Sequence, residues 1–480
     1  MKTLFATLLC IAPLSACGGS GASDTLVGTG GSSPGTGGAY ASGGATGSGG
    51  ASASGGNAGT GGASASGGAS GTGGKGTGGA AGGTATGGKG GAGGTGGQAS
   101  GGSAGGATGT GGVKGTGGAT GTGGATTGTG GMIAATAGPA ETKPTGYGQA
   151  TTGGGSASAM TISSMAALQA AIDAYSGTGG LVVNYTGKFN FASITDPCAQ
   201  WQMAGQIVEI KKKNDITIMG ADGSSVNFGL HIASSSSNII VRNMTFGLLP
   251  GGDAADAISV EGMSGGFPTD IWIDHNEFFS SLATCAGAGD ASFDGLIDFK
   301  KGADRVTVSY NYLHDHHKVT LNGFTDTDDQ DRHITFHHNV FDNIASRTPL
   351  QRHGWSHLFN NVFSRISTSG INIRMGGYSL VEANFFQTVK NAVTSRDSDA
   401  LGFWDLRNNN VKTPADFATY DLTWSASTST PTKDATDWTT TAAYPVALGY
   451  SYTADAADCL KGNLITVAGA GKKLATLKCK

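Results

Sequence analysis

Charge is scarce in this chain: Asp, Glu, Lys and Arg make up 13% of 480 residues and nearly cancel, leaving a formal net of -4. Such a balance supplies no long-range field for holding nucleic acid, although it leaves room for a local basic groove. Long apolar runs are missing too, and no segment after the N-terminus has the length needed to span a bilayer. Cysteine is limited to six, with no Cys-x-x-Cys pair and no Cys/His spacing of a zinc site. Asn-Gly dipeptides that close tight hairpins are few, which weighs against a sandwich of β-hairpins.

Glycine, by contrast, is abundant at 87 residues, most of them before position 155. Met1-Lys2 followed by the apolar run Leu4 to Ala12 reads as a secretory signal. It ends in Leu14-Ser15-Ala16-Cys17, which resembles the lipobox of bacterial lipoproteins, so Cys17 is the expected lipidation site and residues 1–17 the leader. Gly18 and Gly19 follow Cys17, a context compatible with outer-membrane or surface display. Residues 18–140 form a Gly, Ala, Ser and Thr tract almost free of large apolar side chains. Such a tract buries too little surface to offset its ordering entropy and is expected to act as a tether with a reach of roughly 60 Å. The folded domain is expected over 141–480, monomeric, exported and touching a membrane only through the lipid. In an oxidising compartment Cys198, Cys285, Cys459 and Cys479 are expected to form two disulfides. Three pairings are open, and Cys198–Cys285 with Cys459–Cys479 is the favoured one.

Met165, Leu168, Ile172 and Tyr175 recur at helical spacing inside a Ser-capped segment that Gly177 stops. This helix is expected to plug one end of a stack of strands. Short β-rich runs follow, ending at Asn243, Asn276, Asn311, Asn339, Asn361 and Asn384, and the last five Asn are followed two residues later by Phe or Leu. Repetition at this period signals a solenoid. The fold class expected is all-β: a right-handed, single-stranded parallel β-helix with an N-terminal capping helix, an Asn ladder and an interior Phe/Leu column. The tail from Lys412 is expected to pack back along the solenoid.

Charge is concentrated between Phe293 and Arg352, where 16 of 60 residues are Asp, Lys or Arg. On an extended strand Ile297 and Phe299 point one way and Asp298 and Lys300 the other. The same alternation puts Val319 and Leu321 inward and Lys318 and Thr320 outward. A groove carrying Lys300, Lys318, Arg347 and Arg352 beside Asp256, Asp294 and Asp298 suits a polyanion bridged by a hard divalent cation with oxygen ligands. Residues four apart on a straight strand lie about 13 Å apart, too far to share one ion, so Gly295 must mark a bend. His314, His316, His317, His333, His337 and His338 read as structural, and Asp326 to Asp331 as a solvated loop near the groove.

The run Asp294 to Gly323, the element Trp272-Ile273-Asp274-His275 and the segment His333 to Gly354 together resemble the pectate lyases of polysaccharide lyase family 1. The resemblance extends from about Ala150 to the C-terminus. It implies Ca2+ as cofactor, bound by Asp256, Asp294 and Asp298; Arg347 as catalytic base; Lys318 and Arg352 as catalytic contacts to the substrate carboxylate and oxyanion; and Lys300 as a substrate-groove lysine. Two positions depart from the family pattern: Ala254 stands where a carboxylate is found, with Asp253 beside it, and Asp294 replaces what is often a Glu. Trp272, Asp274 and His275 match a family signature that serves the fold.

The implied reaction is β-elimination on polygalacturonate, leaving a 4,5-unsaturated end, with endo action and an alkaline optimum. A guanidinium is a poor base because its pKa lies above ~12, so alkaline pH and cationic neighbours are implied. A pectin lyase acting on methyl-esterified substrate is the alternative enzyme, although such relatives do without the calcium carboxylates. A non-catalytic pectin-binding surface protein is the alternative from another class. The Gly-His-Gly element of hydrolytic polygalacturonases is absent.

Overall fold

A computed structural model describes residues 134–251, 256–288 and 292–480. The leader, Cys17, most of the tether and the pair Asp253 and Ala254 lie outside the described residues. From Leu181 onward the chain repeats one path: a strand, a corner, a second strand, a corner, a third strand. Among the described residues the strands align turn upon turn into parallel sheets of ten, nine and eight, closed by one antiparallel strand, with a separate two-stranded sheet. Each turn gives one strand to each large sheet, so the molecule is a right-handed single-stranded parallel β-helix and not a sandwich. One complete turn runs through Ile297–Lys300, Asp304–Ser309 and Tyr312–Lys318.

The corners keep their positions because the same residue recurs there. Asn276, Asn311, Asn339, Asn361, Asn384 and Asn409 are fully or nearly fully buried. Each Nδ2 donates to the Oδ1 of the next at 3.0–3.2 Å. An amide carries both donor and acceptor, so it extends a ladder that an apolar side chain would leave as orphaned buried groups. The ladder begins one turn later than expected: Asn276 Oδ1 accepts from Met244 N, and Asn243 sits one residue early, bonded to Gly220 O. Two residues beyond the ladder lies the interior column, where Phe246 stacks on Phe278 at 5.1 Å and Phe341, Phe363 and Phe386 stack at 5.1 and 4.8 Å.

Helix Met165–Ala174 is capped by the Ser164 side chain, and its buried Leu168 and Ile172 join the main core. The Cys198–Cys285 and Cys459–Cys479 bonds form as favoured from the sequence. The tail returns along the outside of the ten-stranded sheet, where Tyr450 meets Thr335 and His357, and ends in strand Thr476–Cys479. That strand pairs with Ala135–Gly138. The boundary expected at 140/141 is therefore corrected: residues assigned to the tether belong to the folded body, because their backbone completes a sheet whose other strand is far away in sequence. No helix among the described residues is long and apolar enough to cross a membrane.

Candidate active site

The outer face of the nine-stranded sheet collects the charged residues. Ile297 and Phe299 enter the core as expected, so Asp298 and Lys300 face outward. The next turn differs from expectation. Val319 is the corner between strands Tyr312–Lys318 and Thr320–Asn322, and the alternation restarts there. Thr320 aligns with Ile297 and Asn322 with Phe299 on the inner face, while Leu321 aligns with Asp298 on the outer face. A period-two reading carried across a corner inverts every side chain beyond it.

The three acids come from two turns. Asp256 and Asp294 stand just ahead of the aligned strands Ile258–Glu261 and Ile297–Lys300, and Asp298 lies within the second. The chain bends before Ile297, where Leu296 N and Ile297 N both donate to Val319 O at 2.9 and 3.1 Å. Gly295 is required here: a Cβ would lie 2.6 Å from Asp256 Oδ1 and 2.8 Å from Asp298 Oδ1. Burial, then the charge on Asp256, pushes Asp298 up to about 8 and raises Asp294 as well. Mutually repelling, partly desolvated carboxylates are the donor set a hard dication stabilises, so these residues fit Ca2+.

They do not form a finished ligand sphere. Among the described residues no three acids or imidazoles close into a metal cage. The Lys300 ammonium stands between them instead, 2.6 Å from Asp256 Oδ2 and 3.2 Å from Asp298 Oδ2. Burial alone would lower Lys300, but the charges of Asp256 and Asp298 raise it far above an ordinary lysine.

The other cations border the same sheet. Lys318 ends its strand and aligns with Ser346 of the following turn, which sets Arg347 at the adjacent corner. Arg347 holds φ +67° and its carbonyl accepts from Thr320 N at 3.0 Å; the Thr348–Pro349 peptide beyond it is cis. Its guanidinium makes no hydrogen bond or ion pair among the described residues, and it is half-buried. Arg352 Nε is held by Asp326 Oδ1 at 2.7 Å, with Nη1 on Gly323 O at 3.1 Å.

Arg374 was not singled out from the sequence, and Asp326 and Asp328 were read only as members of a solvated loop. Arg374 aligns directly with Arg352 on the same sheet face, and burial followed by the Arg352 charge pushes it down to about 10. Its spacing from Arg352 falls within the solenoid period, the one signal that could have revealed it. Asp326 anchors Arg352. Asp328 corrects the reading of 326–331 as solvated: it is buried, accepting from Lys301 N at 2.9 Å, Phe324 N at 2.7 Å and the buried Arg332 at 2.7 Å. Asp274 is likewise structural, taking Arg242, His275 and Ser309 while Trp272 Nε1 donates to Ser309. His316 is buried against Ser280, and burial pushes it down to about 3.

Comparison with known proteins agrees with this arrangement. The family profile described as pectate lyase matches residues 122–473. Pectate lyase 3 of Pectobacterium carotovorum subsp. carotovorum is 44% identical over 309 residues, 63% of this chain and 80% of that protein. Pectate lyase II of Xanthomonas campestris is 51% identical in structural alignment, with a TM-score of 0.66 over 69% of this chain and 100% of that one. Pectate lyase C from Erwinia chrysanthemi, solved at pH 9.5 with Ca2+, and a pectate lyase C variant in complex with pentagalacturonic acid are each 39% identical. Both have a TM-score of 0.65 over 70% of this chain and 99% of theirs. With the profile covering most of the chain and the solenoid matching solved enzymes end to end, the chain belongs to the pectate lyase family, the polysaccharide lyases that cleave pectate.

Proposed function

We propose that this chain is a Ca2+-dependent lyase that cleaves α-1,4-linked homogalacturonan by β-elimination at alkaline pH. The observation that carries this reading is that Asp298, Lys300 and Arg352 lie on the outer face of one sheet, Asp256 and Asp294 stand just ahead of its strands, and Lys318 and Arg347 stand at the corners that border it. In it Asp256, Asp294 and Asp298 would hold the ion, and a bound dication would supply positive charge to stabilise the charge that builds on the substrate carboxylate.

Arg347 takes the C5 proton, α to the uronate carboxylate. The electrons of that bond form C4=C5, the C4–O4 bond breaks, and the departing oxygen receives a proton, so no water is consumed. Lys318 and Arg352 bind the carboxylate and its developing negative charge, as preorganised cations do. Lys300 binds substrate in the groove. A guanidinium is a weak base, so proton removal by one is expected to be favoured in alkaline solution. Endo action is favoured by sheet topology: strands continue on both sides of these turns, so a polymer can extend past the site in either direction. The leader, Cys17 and the Gly-rich tract serve export, lipid anchoring at the cell surface and tethering of a monomeric enzyme.

The test is an assay of the full chain on low- and high-ester pectin with Ca2+ or with chelator, reading the ultraviolet absorbance of unsaturated product. Activity on the low-ester substrate that chelator abolishes and Ca2+ restores is expected. Chelator-resistant activity confined to the high-ester substrate indicates a pectin lyase, and binding without product a non-catalytic surface protein.

A further inference from the structure

Lys300 stands between two of the three acids that would hold a dication. Its ammonium contacts the Oδ2 atoms of Asp256 and Asp298 at 2.6 and 3.2 Å, and its side chain is only 14% exposed. The Oδ1 atoms of the same two acids converge beside Gly295. A Ca2+ ion bonded to oxygens of these two acids would share both carboxylates with the ammonium, and two like charges on the same carboxylates in a partly desolvated site repel. Both cannot hold the pair of acids together. The lysine stem is four methylenes of flexible chain that can carry its charge elsewhere. Lys300 ends strand Ile297–Lys300 on the outer face, with Lys318 and Arg352 on the neighbouring turns, so the direction open to it leads along the groove.

We infer that Lys300 is a tethered counter-ion: in the metal-free protein at alkaline pH it neutralises Asp256 and Asp298, and Ca2+ displaces it into the groove, where it meets a uronate carboxylate. This inference rests on the calcium reading above and adds a competition within it. Metal binding works against an ion pair already made, and loading the metal releases a cation to the substrate, so the two affinities are coupled and each ligand strengthens the other. Lys300 thereby acts as a positioning residue for the metal before it acts on substrate.

Calorimetric titration of the full chain with CaCl2 at constant alkaline pH tests this on wild type, Lys300→Met, Lys300→Gln and Lys301→Met. Lys301 is the control, because its ammonium pairs with Glu261 at 2.7 Å and not with the three acids. Either Lys300 variant is expected to bind Ca2+ at least ~10-fold more tightly than wild type, with Lys301→Met within about threefold. In chelator the Lys300 variants are expected to melt below wild type, and Ca2+ to remove that difference. Crystals grown with Ca2+ are expected to show Lys300 Nζ withdrawn from both acids. Equal or weaker Ca2+ binding by the Lys300 variants, or an unmoved Nζ beside bound metal, overturns the displacement while leaving calcium dependence intact. Absence of any Ca2+ binding by wild type and variants, with pentagalacturonate present, overturns the calcium reading and this inference together.

Discussion

The side-chain oxygen of Asn361 accepts two hydrogen bonds from Asn339, one from its backbone N and one from Nδ2, both at 3.0 Å and both fully buried. Truncation to Ala removes the acceptor and orphans two buried donors at about 1–3 kcal/mol each. Asn361→Ala is therefore expected to lose about 2–5 kcal/mol in denaturant unfolding, with little change in the kinetics of the fraction that remains folded.

The interior column makes a parallel demand. Phe363 lies between Phe341 and Phe386 at 5.1 and 4.8 Å, and no water reaches the space its ring fills. Phe363→Ala is expected to cost about 3–5 kcal/mol by the same measurement, whereas Phe363→Leu keeps most of the volume and is expected to cost less than half as much.

Gly295 is the residue whose smallest change reaches the metal ligands. An added methyl would lie 2.6 Å from Asp256 Oδ1 and 2.8 Å from Asp298 Oδ1, so one of those acids must turn away. Gly295→Ala is expected to weaken Ca2+ binding roughly 10–100-fold in calorimetry while the circular dichroism spectrum is retained. Unchanged affinity would show that these oxygens do not face the ion.

Asp298 sets a pH dependence in metal-free protein. Burial and the charge on Asp256 push it from its ordinary value up to about 8, so between pH ~4 and ~8 the folded state holds a proton that the unfolded state releases. The stabilisation this provides is complete below the unfolded pKa and is lost as pH rises through the folded one. With chelator present, Asp298→Asn is expected to melt close to wild type near pH ~4 and above it at pH ~9, because the amide never acquires the charge. Added Ca2+ is expected to reverse the order at the higher pH. Parallel melting curves at every pH would remove Asp298 as the group responsible.

What the sequence made legible depended on whether the deciding partner was near in the pattern. The Asn ladder and the Phe column could be read because each turn must present the same residue at the same corner. The alternation at Ile297 to Lys300 could be read because one straight strand carries it. Leu321 and Thr320 were inverted because the corner at Val319 has no mark in a period-two pattern, and Asn243 looks like a ladder member until the alignment sets Met244 there instead. Ala135–Gly138 is composed like the tether and becomes a strand only through Thr476–Cys479. Asp328 reads as one acid in a solvated run, since its partners Lys301 and Arg332 are supplied by the fold. The charges of the groove were visible as a set, but the Lys300 ion pairs depend on side-chain positions that strand alternation does not specify.

The most direct test of the reaction is a time course of unsaturated product from polygalacturonate with Ca2+ at alkaline pH, wild type beside Arg347→Lys, with oligogalacturonate affinity measured on both. Wild type is expected to give product and the variant a rate at least ~100-fold lower, because its ammonium lacks the reach and geometry of the base, with affinity within about threefold. A variant within a few-fold of wild type, or saturated ends from wild type, would contradict proton abstraction by Arg347 and elimination respectively.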